Sequence, residues 1–241
     1  ITDVKDERKM ELSSREIVAD ITILDPELPK SMPPKVVADT ALDALTHAIE
    51  SYVSQWRNDF SDVLAIGAIQ MIFKYLPRAY KNPEDKEAKE KMHNAATMAG
   101  MSFGNSQAGI AHATGHSLGA IFHVPHGRTM ALFLPYSIEY SARDAMGRYA
   151  DIARAIGIEA KTDKEAVEKL VEAVKKLNRE VGEPASLKEL GISRKDFEKR
   201  LDDLAMRAAN STCTFMNPRV PDLEDTKKIF IYAYEGKKVD F

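Results

Sequence analysis

The chain has 241 residues, 44% of them hydrophobic and 29% charged, and carries a net charge of −3. That length suits one large core with a small extension better than two equal domains, and no run of eighteen consecutive apolar residues offers a membrane span. Intermixed Lys and Glu leave no basic stripe for nucleic acid. The single cysteine, Cys213, excludes an internal disulfide and, with no signal-peptide pattern, points to a reducing cytoplasmic location.

In chain order, the sequence opens in mid-pattern at Ile1, so the expectation is a piece of a longer protein. The β-branched run 17–24 predicts a short strand, closed by Asp25-Pro26 and followed by Pro29, Pro33 and Pro34. Residues 1–34 therefore read as a connecting strand and loop. From Pro34 the apolar spacing becomes helical, through Val36, Val37, Leu42, Leu45, Ile49 and Val53. Further helices are expected near 61–80, 85–103 and 107–122, and after Pro125-His126-Gly127 near 128–142 and 144–156, with a kink at Pro135. A charged amphipathic helix follows over 163–181, with Ala166, Leu170, Ala173, Val174 and Leu177 as its buried stripe. Two more are expected near 194–209 and 222–235, the last opening after Pro221 with Asp222, Glu224 and Asp225. Residues 35–241 thus read as one all-α domain. The chain has no Gly-rich strand-to-helix turn to cradle a phosphate, so a nucleotide would need residues from elsewhere.

Four of the six histidines, His112, His116, His123 and His126, lie within fifteen residues, and upstream Asp43 and His47 stand at i, i+4. Residues four apart share a helix face, and imidazole and carboxylate are the ligands that Fe²⁺ and Zn²⁺ accept. Taken alone, Asp43 and His47 also fit a helix-start acid with an ordinary histidine. The second pair, His112 and His116, sits among small residues that leave room beside the imidazoles, and His126 between Pro125 and Gly127 is held at a fixed turn or helix start. Glu50, at i+7 from Asp43, reads either as a partner for a ligand N–H or as a surface glutamate. His123 reads as solvent-facing or as a partner of a ligand, and His93 as solvated surface.

Gly115-His-Ser117-Leu-Gly119 matches the nucleophile elbow of α/β-hydrolases. That fold needs an acid and then a histidine after the serine, and no acid separates Ser117 from His123 or His126, while no histidine follows His126. Ser117 is therefore expected to pack or cap.

Asp43-Ala-Leu-Thr-His-Ala-Ile-Glu50, Gly109-Ile-Ala-His112 with His116-Ser-Leu-Gly119, and Pro125-His126-Gly127 together resemble the iron-containing, group III alcohol dehydrogenases. Ile1-Thr2-Asp3, Ile23-Leu24-Asp25-Pro26 and Cys213 with Asn217-Pro218-Arg219 extend the resemblance over essentially the whole chain. It implies the dehydroquinate synthase-like C-terminal helical domain, preceded by a strand left from an α/β nucleotide-binding domain that this chain lacks. It also implies Asp43, His47, His112 and His126 as ligands of Fe²⁺ or Zn²⁺, and His116 as the catalytic residue that positions the alcohol or relays its proton. The implied reaction is oxidation of a primary or secondary alcohol to an aldehyde or ketone, the ion acidifying the alcohol and NAD or NADP accepting the hydride. The partners expected are a small alcohol or aldehyde, the nucleotide-binding half and a second copy of the chain. Arg128-Thr129 after Pro125-His126-Gly127, and Ala41 two residues before Asp43, depart from the usual family pattern without touching a ligand.

Three rivals remain. A glycerol dehydrogenase-like zinc enzyme shares the fold but uses three protein ligands. A noncatalytic metal-binding or oligomerisation module would keep the metal without the chemistry. A helical metal-dependent phosphohydrolase needs an adjacent His-Asp pair, which the sequence lacks.

Overall fold

The computed structural model describes every residue except Val4, Met10 and Ser13, together with the side chains of all of these but Thr2, Arg8 and Arg15. Among the described residues the strands are β1 (Thr2–Asp3) and β2 (Arg8–Lys9), an antiparallel pair with Thr2 opposite Lys9 and Asp3 opposite Arg8. The rest is helical: α1 (Pro34–Val53), α2 (Asp59–Lys81), α3 (Lys86–Phe103), α4 (Ile110–Phe122), α5 (His126–Ala155), α6 (Asp163–Glu180), α7 (Arg194–Ala209), α8 (Thr212–Met216) and α9 (Leu223–Glu235).

The strand expected over 17–24 does not form. Residues 15–17 make a 3₁₀ turn and the remainder is irregular, with Ile17, Val18, Ile21 and Ile23 exposed. A β-branched run specifies a strand only where a neighbour accepts its backbone hydrogen bonds, and among the described residues no strand pairs with 17–24.

Most helix starts carry the caps their sequences advertise. Pro34 occupies the first turn of α1. Asn58 and Ser61 form a reciprocal capping box on α2. Asp85, Thr162, Ser193 and Asp222 accept backbone N–H bonds at α3, α6, α7 and α9. The cap residues Pro33 of α1 and Pro125 of α5 accept no such bond, and that of α4, Gly109, has no side chain to offer.

Helix α5 is the hinge between two cores. Its Ala131, Leu134, Ile138 and Ala142 pack with α1, α2, α3 and α6. Its Leu132, Phe133, Tyr136 and Tyr140 pack with α4, α7 and α9, where Phe133 meets Phe230 edge-on and Phe197 stacks on Tyr234. The first half of α5 is apolar on two faces and buried, while Arg143, Asp144, Asp151 and Arg154 of its second half are exposed.

The break in α5 falls at Ala145 (φ −132°, ψ 30°) rather than at Pro135. Proline removes the N–H that would bond the carbonyl four residues back, here Ala131. The buried Asn178 of α6 donates its Nδ2 to that oxygen at 2.7 Å, so the helix continues through the proline. His123 ends α4 in the left-handed region (φ 53°) and is solvent-facing, while His93 is half-buried in a groove with Met92 and Lys89 rather than solvated.

Near the start of α5, Arg128 bonds Glu183 at 3.1 Å and reaches Asp39 of α1 at 3.5 Å. Burial, then the neighbouring Asp39 carboxylate, pushes the Glu183 carboxyl up to about 7.

Replacing Asn178 with Ala should leave the Ala131 carbonyl unsatisfied and lower stability by about 1–3 kcal/mol in urea denaturation. Glu183 holds its proton in the folded chain at pH values where the unfolded chain has lost it, so its contribution should fall as pH rises from about 4.5 to about 7. Stability profiles of wild type and Glu183→Gln across that window should differ by this downward slope, absent in the variant.

Candidate metal centre

Three helices converge on one carboxylate. Asp43 and His47 lie one turn apart on α1, His112 lies in the first turn of α4, and His126 is the first residue of α5. Asp43 Oδ1 stands 3.1 Å from His126 Nε2, 3.6 Å from His112 Nε2 and 3.7 Å from His47 Nδ1. The ligand atoms of Asp43, His112 and His126 all lie within 4.8 Å of one another. His47 is set slightly apart from that trio, its ring stacked on Phe103 and 4.2 Å from the His112 ring.

Each ligand position has a structural cause. Glu50 accepts from Gly109 N at 2.8 Å, Ala111 N at 2.6 Å and His112 Nδ1 at 2.6 Å. Asn217 Oδ1 accepts from Ile110 N at 3.3 Å, and its Nδ2 donates to Ser141 and to the Arg219 carbonyl. Side chains from α1 and from the loop after α8 therefore satisfy the orphan N–H groups of α4 that its own cap cannot. Gly109 has to be glycine for this, because a Cβ there would lie 2.8 Å from Asn217 Oδ1 and 2.9 Å from Glu50 Oε1. Gly127 performs the same service for α5: a Cβ would meet the Asp39 carbonyl oxygen at 1.9 Å. The bare backbone of Gly127 lets the start of α5 lie against α1 and brings His126 to Asp43.

The donor set fits a divalent ion. Asp43 Oδ1 and His112 Nε2 are buried without a hydrogen-bond partner although they face each other. Ligands about 2.0–2.2 Å from a shared ion stand roughly 3.0–3.6 Å apart, which is the spacing around Asp43. Burial works to raise the Asp43 carboxyl, but the imidazoles of His112 and His126 outweigh it and hold the group well below the usual carboxylate range. Burial and then the His112 charge bring His47 down to about 3, leaving it a neutral donor. Burial disfavours a charged His112, yet the Glu50 carboxylate, followed by Asp43, carries it up to about 9. With Nδ1 bonded to Glu50, Nε2 is the ring atom that would meet a divalent ion, in place of the second proton.

His116 sits one turn beyond His112, its ring 5.1 Å from that of His126. Its Nδ1 bonds Glu11 Oε1 at 3.1 Å, and both residues line a cavity of ≈640 Å³ with Lys9, Ser117 and Asn210. Lys9 Nζ lies 3.4 Å from His126 Nδ1. Ser117 donates to the Leu204 carbonyl at 2.8 Å and ties α4 to α7, a packing role. Glu11, Lys9 and the capping role of Asn217 carry no signal in the sequence, since nothing local marks a partner one or two hundred residues away.

An all-helical domain that gathers an Asp and three His from α1, α4 and α5 has the donor chemistry of a divalent-metal site. A family model described as "Fe-containing alcohol dehydrogenase family, C-terminal" matches residues 37–234, and the chain belongs to this family. An NADPH-dependent butanol dehydrogenase of Clostridium saccharobutylicum is 44% identical over 241 residues, which is 100% of this chain and 62% of that protein. The bifunctional aldehyde-alcohol dehydrogenase of Escherichia coli K12 is 36% identical over 258 residues, 98% of this chain and 29% of that one. The solved structure of the iron-containing alcohol dehydrogenase from Thermococcus thioreducens superposes with a TM-score of 0.86 at 38% identity, over 93% of this chain and 57% of that one. The chain thus spans less than two thirds of the length of each of these relatives.

Glu50→Gln should lower Zn²⁺ or Fe²⁺ affinity by roughly 10–100-fold in a competition titration, because an amide cannot accept from all three N–H groups at once. Circular dichroism should show the helices retained.

Proposed function

We propose that this chain is the metal-holding part of an NAD(P)-dependent alcohol dehydrogenase acting on a small primary or secondary alcohol or its aldehyde or ketone in the cytoplasm. The observation that carries the reading is the buried Asp43 oxygen and His112 Nε2, both without a hydrogen-bond partner, facing each other beside His126. In this reading Asp43, His47, His112 and His126 hold one Fe²⁺ or Zn²⁺, residues 35–241 form the domain that carries it, and NAD or NADP is bound by a further domain. A bound divalent ion supplies Lewis acidity toward an alcohol or carbonyl oxygen, and the nicotinamide supplies hydride chemistry.

The chain's own residues do the rest. Glu50 fixes the His112 ring with Nδ1 donating to it, so that Nε2 is presented to the ion. His116 is the acid–base residue, at the cavity rather than among the ligands. Burial pulls its pKa below the ordinary imidazole value, against the opposing bond to Glu11. The relatives' names support the substrate class: one is a butanol dehydrogenase that uses NADPH, and another acts on aldehyde and alcohol.

With the only thiol removed by Cys213→Ser, so that metal reports on the Asp43 centre, plasma mass spectrometry should find about one Fe or Zn per chain. In that background Asp43→Ala, His112→Ala and His126→Ala should each lose most of that metal, and His116→Ala should keep it. Equal loss in all four would overturn the division of roles. Joined behind the N-terminal part of the Clostridium saccharobutylicum relative, the chain should reduce NADP⁺ with butanol. A metal-loaded but inactive chimera would favour the noncatalytic module.

A further inference from the structure

Beside the cavity, His116 also belongs to a second cluster of donors. Glu11 Oε1 lies 3.1 Å from His116 Nδ1 and 3.7 Å from Cys213 Sγ, and the three ligand atoms lie within 4.8 Å of one another. We propose that Glu11, His116 and Cys213 form a second metal site, selective for a thiolate-seeking divalent cation such as Zn²⁺. The inference does not depend on the reading of the Asp43 centre, with which it shares no ligand.

The spacing is that of a coordination polyhedron. A tetrahedral zinc ion holds nitrogen and oxygen at about 2.0–2.2 Å and thiolate sulfur at about 2.3 Å, which sets O···N edges near ~3.4 Å and O···S edges near ~3.6 Å. The O···S separation of 3.7 Å is close to its edge, and the O···N separation of 3.1 Å is about 0.3 Å shorter than its edge. Three separate elements supply the ligands: the segment after β2 gives Glu11, α4 gives His116 and α8 gives Cys213. Ser211 Oγ donates to the same Oε1 at 3.0 Å and Thr212 Oγ1 donates to Oε2, which together fix the carboxylate. Partners of this kind orient a ligand before the ion arrives.

Charge and softness agree with the geometry. A carboxylate, a neutral imidazole and a thiolate carry two negative charges, which balance a divalent cation, and the thiolate selects Zn²⁺ over Mg²⁺ or Ca²⁺. Binding exchanges the Cys213 thiol proton for the cation, with no change of oxidation state. The ≈640 Å³ cavity lined by Glu11 and His116 leaves room for a fourth ligand from solvent. A cation bound there occupies His116 Nδ1 and leaves only Nε2 of that ring for proton transfer.

Cobalt(II) tests the proposal, because Cys213 is the only cysteine in the chain. Any thiolate-to-cobalt charge-transfer band in the near ultraviolet therefore reports on Cys213 alone. Anaerobic titration of metal-free wild-type protein should give two Co²⁺ per chain and this band. Cys213→Ser should lose the band and one Co²⁺, and Asp43→Ala should keep the band. Glu11→Gln should weaken the binding that produces the band at least roughly tenfold. A wild-type chain that shows no band at saturating Co²⁺ would overturn the proposal, and so would a band that Glu11→Gln and His116→Ala leave unchanged.

Discussion

A carboxylate taken out of water costs several kcal/mol unless its oxygens are fully hydrogen-bonded, and Glu50 is 1% exposed. Its two oxygens accept from Gly109 N, Ala111 N and His112 Nδ1. The two backbone groups among these, Gly109 N and Ala111 N, are orphan donors at the start of α4, so one buried carboxylate and one helix without a side-chain cap satisfy each other. The contact fixes where α4 begins relative to α1. Because His112 is in the first turn of α4 and Asp43 is two turns before Glu50 on α1, fixing that junction also fixes the distance between the two. Asn217 completes the arrangement by drawing the loop after α8 onto the same helix start.

The third helix reaches the centre by a different device. Pro125 and His126 begin α5, and the missing side chain of Gly127 allows backbone contact with Asp39 on α1. Arg128, one residue on, bridges Asp39 and Glu183 and ties that junction to the segment after α6. This gives a physical account of the departure from the family pattern after Pro125-His126-Gly127: the arginine is committed to two acids of this chain. The long α5 then separates the two cores, and the proline within it is accommodated by Asn178.

Membership of the Fe-containing alcohol dehydrogenase family places the domain, and the chemistry of the site gives the membership its content. An acid with neutral imidazoles suits a borderline divalent ion, and His116, whose ring lies 5.1 Å from that of His126, lines a cavity of ≈640 Å³. The Glu11 and Cys213 donors beside His116 differ in chemistry from that centre, since only they include sulfur. His116 belongs to the hydrogen-bond system of the second cluster while its ring lies beside His126 of the first.

Much of this was legible without coordinates because helices are local objects. The 3.6-residue apolar period located α1 to α7 and α9, and the i, i+4 pairs put Asp43 with His47 and His112 near His116 before any packing was known. The short α8 escaped, having too few residues to show a period. The strand expected over 17–24 failed for the opposite reason: a strand requires a distant partner that the local pattern does not contain. The choice left open for Glu50 was closed only by burial and three hydrogen bonds, the nearest to a residue 59 positions away. Sequence determined which residue types could bind a metal and which helices would carry them. Tertiary structure alone decided that Gly127 touches Asp39, that Asn217 caps α4 and that Glu11 meets His116 and Cys213, because those contacts join positions about 90 to 200 residues apart, whose proximity is set by packing.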